Sequence, residues 1–87
     1  MSAKEMFEKL GGNYTENKNS ITIEFYDKYT DAYVYVEFWK DNKEFCFDIN
    51  NFRKPKLNLK LLLQAINKQV EELGWNEKWN KFYNNTK

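Results

Sequence analysis

Apolar residues along this chain change their spacing twice, and each change marks a boundary between elements. Ala3, Met6, Phe7 and Leu10 recur every three or four residues, which is the period of a helix with one apolar side. Ser2 and Glu5 stand at its start in the pattern of a capping box, and Gly11-Gly12 stops it by permitting a left-handed backbone. Asn13 to Ser20 is polar, with a turn expected in Glu16-Asn17-Lys18-Asn19 and Tyr14 packing where the helix meets the sheet. From Ile21 the period drops to two. Ile21, Ile23 and Phe25 alternate with Thr22, Glu24 and Tyr26, the mark of a half-buried strand.

The stretch Ala32 to Asn50 reads as a β-hairpin, two runs of aromatic and β-branched residues interrupted by Lys40-Asp41-Asn42-Lys43. Val34, Val36 and Phe38 fall on one side of the first run, and Tyr33, Tyr35, Glu37 and Trp39 on the other. In the second run Phe45, Phe47 and Ile49 alternate with Glu44, Cys46 and Asp48. One face is therefore apolar throughout, and the other mixes large aromatics with acids. Short turns leave no room for a crossover, so the three strands should form an antiparallel meander.

After Ile49 the alternation stops. Asn50-Asn51-Phe52-Arg53-Lys54-Pro55-Lys56 reads as the connection out of the sheet, since Pro55 interrupts any regular element. Asn58 is the expected N-cap of a long helix whose stripe is Leu59, Leu62, Leu63, Ile66, Val70 and Leu73, with Gly74 as its stop. Trp75, just past that glycine, is placed to fold back on the last turn. A short third helix over residues 77 to 83 would group Trp79, Phe82 and Tyr83. The fold expected is a single α+β domain over residues 1 to 87, a three-stranded antiparallel meander with helices packed on one face, in the order α-β-β-β-α-α.

Composition sharpens this picture in two ways. Seven Phe, six Tyr and three Trp exceed what the core of an 87-residue domain takes in, which leaves aromatics for the surface. The net charge of +1 hides a strong asymmetry: residues 1–50 hold six lysines against ten acids, and residues 51–87 hold eight basic residues against three glutamates. The single cysteine, Cys46, cannot form an internal disulfide, and the opening MSAKEMFEKL has charges throughout, unlike a signal peptide. No run approaches the ~18 apolar residues that span a bilayer. A cytoplasmic protein with no membrane association is the expectation.

Catalytic chemistry finds little support. Histidine is absent, which removes the commonest general base and metal ligand. One cysteine is too few for a zinc or iron–sulfur site, and its acidic neighbours make it a poor nucleophile. The only Gly-Gly pair follows a helix, whereas a phosphate cradle precedes one. Glu24, Glu37, Glu44 and Asp48 share a sheet face, but carboxylates on an outward face usually serve as solvated groups. We expect no enzyme activity, no catalytic residues, no metal and no cofactor.

Two binding surfaces remain. The first is the outward sheet face, with Tyr26, Tyr33, Tyr35, Glu37 and Trp39 as the candidate partner-binding residues. Aromatics on an open sheet can stack on nucleobases, but the acids beside these would repel phosphate, and tyrosine and tryptophan ringed by charge suit a protein contact. The plainer alternative is that these rings only cover the sheet or lie under a helix. The second surface is the basic segment Arg53, Lys54, Lys56 and Lys60, which could meet phosphate or an acidic protein, and whose plainer reading is a solvated loop.

The segments SAKEMFEKLG (residues 2–11) and LLQAINKQVEELGW (residues 62–75) resemble the ends of small uncharacterised proteins from phages and prophages of Gram-positive bacteria. In those, an AKEMFEKLGY helix precedes a short sheet and an LQAINKQ-x-EELGW helix. Here Gly12-Asn13-Tyr14 replaces the usual Gly-Tyr, and residues 76–87 run past the usual end. The resemblance implies the fold and a phage setting, and it transfers no activity or residue role. Small phage proteins commonly occlude host proteins, including CRISPR effectors and other defence machinery. The function expected is therefore a non-enzymatic protein, monomer or homodimer, that binds and modulates a host protein, with anti-defence (anti-CRISPR-like) inhibition as one form of that modulation. The alternative is a nucleic-acid-binding accessory protein working through residues 53–60.

Overall fold

The computed structural model describes residues 1–29, 31–50 and 57–75. Among these the element order is α1 (Ala3–Lys9), β1 (Asn13–Glu16), β2 (Ser20–Asp27), β3 (Ala32–Trp39), β4 (Glu44–Asn50) and α2 (Leu59–Glu72). The class is α+β as expected, but the sheet has four strands rather than three, ordered β1-β2-β3-β4 with every neighbour antiparallel. The added strand, β1, lies within the stretch that reads as polar connection. It carries one apolar residue, Tyr14, so no alternation announces it; pairing with β2 from Asn13↔Glu24 to Glu16↔Ile21 makes it a strand. The expected turn at residues 16–19 starts one residue later, because Glu16 belongs to the ladder. The third helix expected over residues 77 to 83 lies outside the described residues.

Local chemistry sets both helix boundaries. Ser2 and Glu5 form the capping box: the Glu5 amide donates to Ser2 Oγ at 3.2 Å, and the Ser2 amide donates to Glu5 Oε1 at 3.0 Å. That pairing satisfies two amides a helix start otherwise leaves open, and it holds the Glu5 carboxyl below its ordinary value. Gly11, at φ 91°, ends α1, with the Gly12 amide reaching Phe7 O at 3.0 Å. Asn58 Oδ1 caps α2 by accepting from the Leu61 amide at 3.1 Å, and Gly74, at φ 76°, ends it. The Trp75 amide then donates to Val70 O at 3.0 Å, which folds Trp75 back into the core, 3 % exposed.

Both helices cover the apolar face. Ile21, Ile23 and Phe25 of β2 and Val34, Val36 and Phe38 of β3 pack with Ala3 and Phe7 of α1, and with Leu62, Ala65, Ile66 and Val70 of α2. Phe7 is the hub, its ring centroid 6.2 Å from Tyr14, 6.4 Å from Phe25 and 6.5 Å from Phe38. Gly12 lies so close to β2 that a Cβ there would stand 2.7 Å from Ile23 Cγ2. Two polar contacts cross the core. The Tyr14 hydroxyl donates to Oε1 of buried Gln69 at 2.8 Å, and the Ala3 amide donates to Glu72 Oε2 at 2.9 Å.

The expected apolar sets are each too wide by two residues. Leu59 and Leu63 are 52 % and 59 % exposed, because α2 turns the Leu62–Ala65–Gln69 side inward rather than the whole leucine stripe. Phe47 and Ile49 are also exposed, since the helices sit over β2 and β3 and β4 forms the sheet's edge. Among the described residues, no helix is long and apolar enough to cross a membrane.

Candidate functional site

The strand registers assemble the outward face row by row. Tyr26 of β2 stands beside Tyr33 of β3, which pairs with Asn50 of β4. The next row is Glu24, Tyr35 and Asp48, the next Thr22, Glu37 and Cys46, and the last Ser20, Trp39 and Glu44. Side chains directly opposite on neighbouring strands have Cβ atoms roughly 5 Å apart, so the rows through Tyr35, Glu37 and Trp39 are contact rows. All five residues expected to bind a partner, Tyr26, Tyr33, Tyr35, Glu37 and Trp39, thus share one face. No described helix packs on it, and the alternative that these rings lie beneath a helix does not hold among the described residues.

Within the face the five residues differ in setting. Tyr33 and Tyr35 are half-buried and stacked, their planes 16° apart with centroids 6.4 Å apart. The Tyr35 hydroxyl donates to Glu37 Oε2 at 2.8 Å. Burial first, and then that bond to Glu37, push the Tyr35 hydroxyl pKa up to about 12. Burial, followed by the charge of Glu24, raises Tyr33 as well. Trp39 is 41 % exposed at one end of the face. Tyr26, at the other end, is 63 % exposed and donates to Asp31 Oδ1 at 2.7 Å, so it belongs as much to the β2–β3 turn as to the face.

The electrostatics are one-sided. Glu24, Glu37, Glu44 and Asp48 stand among these rings, while no outward position of β1 to β4 is lysine or arginine. Lys40 pairs with Glu16 at 3.0 Å and Lys68 with Glu71 at 3.6 Å, both away from these rings. The carboxylates border the rings rather than converge, and no group of three acidic or cysteine side chains among the described residues could hold a metal ion. What such a surface offers is negative charge set beside flat aromatic area.

Of the alternative basic contact, Lys60 is exposed in the first turn of α2, on the helical side of the sheet and away from the tyrosine face. Arg53, Lys54 and Lys56 lie outside the described residues. Sequence reasoning missed two recesses. One, of about 510 Å³, opens at the sheet end between Leu10, Phe25, Tyr29, Val34 and Leu57; the other, of about 560 Å³, runs between the helices beside Met6, Leu10 and Leu61. Both are mainly apolar, and their lining residues come from segments too far apart for a local pattern to connect. No protein-family model matches the chain, and no curated protein or solved structure matches it.

Proposed function

We propose that this chain is a binding protein that docks on another protein through the outward face of its sheet and modulates that partner. One observation carries the reading: two stacked tyrosines and an exposed tryptophan lie among four carboxylates, with no basic residue at any outward strand position. Aromatic area of this kind gives a partner contact its attraction, and the acids around it select a positively charged surface. The same acids disfavour nucleic acid here, because phosphate would meet carboxylate. The resemblance to small phage and prophage proteins supports a bacterial host protein as the partner, with defence machinery such as CRISPR effectors among the candidates. The proposed setting is the host cytoplasm, and the proposed mode of action is occlusion rather than catalysis.

The test is capture from a Gram-positive host lysate, run in parallel with the tagged parent chain and with the double variant Tyr35→Ala/Trp39→Ala. A protein recovered in stoichiometric amount by the parent, and lost with the variant, is the expected result. Nucleic acid recovered without stoichiometric protein, with affinity falling tenfold or more over a modest rise in salt, would overturn it in favour of the basic segment.

A further inference from the structure

On the reading that this face binds a partner protein, we propose that it receives arginine: guanidinium groups of the partner lie on the Tyr33–Tyr35 pair and are held by Glu24, Glu37 and Asp48. Tyr35 sits in a row between two acids, Glu24 on β2 and Asp48 on β4, and Glu37 follows it on the same side of β3. Only one Glu37 oxygen is engaged by the Tyr35 hydroxyl, which leaves the other as an acceptor. The two rings are nearly parallel and half-buried, so their aromatic surface is held in place before a partner arrives. A planar guanidinium can stack on a tyrosine ring so held and direct its in-plane N–H groups at carboxylates to either side. A lysine ammonium is a compact, strongly hydrated point charge and gains less from a flat ring.

The same pairing of ring and acid recurs further along the face. Trp39 is directly opposite Glu44 and lies four residues from Tyr35, about 13 Å along the strand. Two contact points at that separation favour a partner surface carrying more than one arginine. A second copy of this chain fits poorly, because the whole sequence contains a single arginine, Arg53. Nucleic acid fits worse, since it brings only negative charge to a face whose strand positions hold carboxylates and no lysine or arginine.

The probes are two hexapeptides of equal charge, all-arginine and all-lysine, titrated calorimetrically into the full chain at physiological salt. The arginine peptide should bind about fivefold tighter or more, and Tyr35→Leu should bring the two affinities together. The double variant Glu37→Gln/Asp48→Asn keeps both rings and should weaken both peptides at least fivefold, which retains a decisive readout if Tyr35→Leu fails to fold. Equal affinity in the parent chain, an arginine preference that survives Tyr35→Leu, or no binding of either peptide would overturn the assignment. Tighter binding of a single-stranded oligonucleotide, or self-association through this face in sedimentation, would do the same. Capture that depends on Tyr35 and Trp39, combined with equal peptide affinities, removes only the arginine assignment. Capture indifferent to those residues removes the partner reading itself.

Discussion

The two faces of β3 are built from interleaved residues of one eight-residue strand, yet they answer to different physics. Ala32, Val34, Val36 and Phe38 are at most 2 % exposed, closed between β2, β4 and the two helices. Tyr33, Tyr35 and Glu37 are half-buried, and Trp39 is open to solvent. The covered set supplies folding free energy, at roughly 1.5–3 kcal/mol for each fully buried large side chain. The open set holds polar atoms and charge that burial under a helix would strand without partners. Changing residue 36 should therefore alter whether the chain folds, and changing residue 35 what it binds.

The sharpest way to break that contrast is to place a charge in the covered set. Val36→Asp, or Ile66→Asp from the helix that lies over it, buries an unpaired carboxylate at a cost of several kcal/mol, against a total of roughly 5–10 for a domain of this size. Both variants should be unfolded or form no cooperative urea transition by circular dichroism. A soluble, cooperatively unfolding Ile66→Asp would mean that α2 does not seal the sheet.

A gentler probe of the same side is Gly12→Ala. The new methyl carbon would stand 2.7 Å from Ile23 Cγ2 and 2.8 Å from two ring carbons of Phe25, itself 6 % exposed. A loss of about 1–3 kcal/mol is expected. Gly11→Ala meets nothing within 4 Å but must hold φ near 91°, a backbone strain worth about 1 kcal/mol. If chemical denaturation ranks Gly11→Ala as the costlier of the two, the close approach of α1 to β2 is looser than described.

How far the sequence reveals each face follows from the same contrast. The alternation of Ile21 to Phe25 and of Val34 to Phe38 identifies the covered set, because burial demands apolar side chains at every second position. The open face is legible through the complementary parity, which groups Tyr26, Tyr33, Tyr35, Glu37 and Trp39 correctly. What pattern cannot carry is coverage. Leu59, Leu63, Phe47 and Ile49 obey the apolar period and are exposed, since helix rotation and the position of the sheet edge depend on contacts between elements. The reverse case is β1, held by pairing with β2, by Tyr14 against Phe7 and Gln69, and by the Glu16–Lys40 ion pair. Gln69 makes the same point, a polar residue within the helix stripe that is buried with its Oε1 accepting from the Tyr14 hydroxyl.

On the open side, Tyr35→Ala/Trp39→Ala should separate folding from binding. Removing one half-buried and one exposed ring costs cross-strand contact area but opens no internal cavity, so a loss below about 2 kcal/mol is expected, with cooperative unfolding retained. Partner capture should nevertheless vanish. Unfolding of this variant would place both rings in the core and erase the distinction between the faces.

The smallest effect separates two tyrosines that reach the same pKa from opposite sides of the sheet. Tyr14, on the helix side, and Tyr35, on the open face, are both pushed up to about 12 from an ordinary 10.0, and in both burial is the largest cause. Each holds its proton longer in the folded chain than in the unfolded one. Their contribution to stability is therefore complete below about pH 10 and is lost as the pH climbs from about 10 toward about 12. The second cause differs: for Tyr35 it is the hydrogen bond to the Glu37 carboxylate, and for Tyr14 the charge of Glu16. Glu37→Gln removes a negative charge from one side only. It should draw Tyr35 back toward 10 without reaching it, because burial remains, and leave Tyr14 where it is. Tyrosinate absorbance against pH reads this, with Tyr35→Phe and Tyr14→Phe variants assigning each step. A Tyr35 step unmoved by Glu37→Gln would mean that Glu37 does not accept from that ring in solution, and that the carboxylate reaches instead toward whatever the face receives.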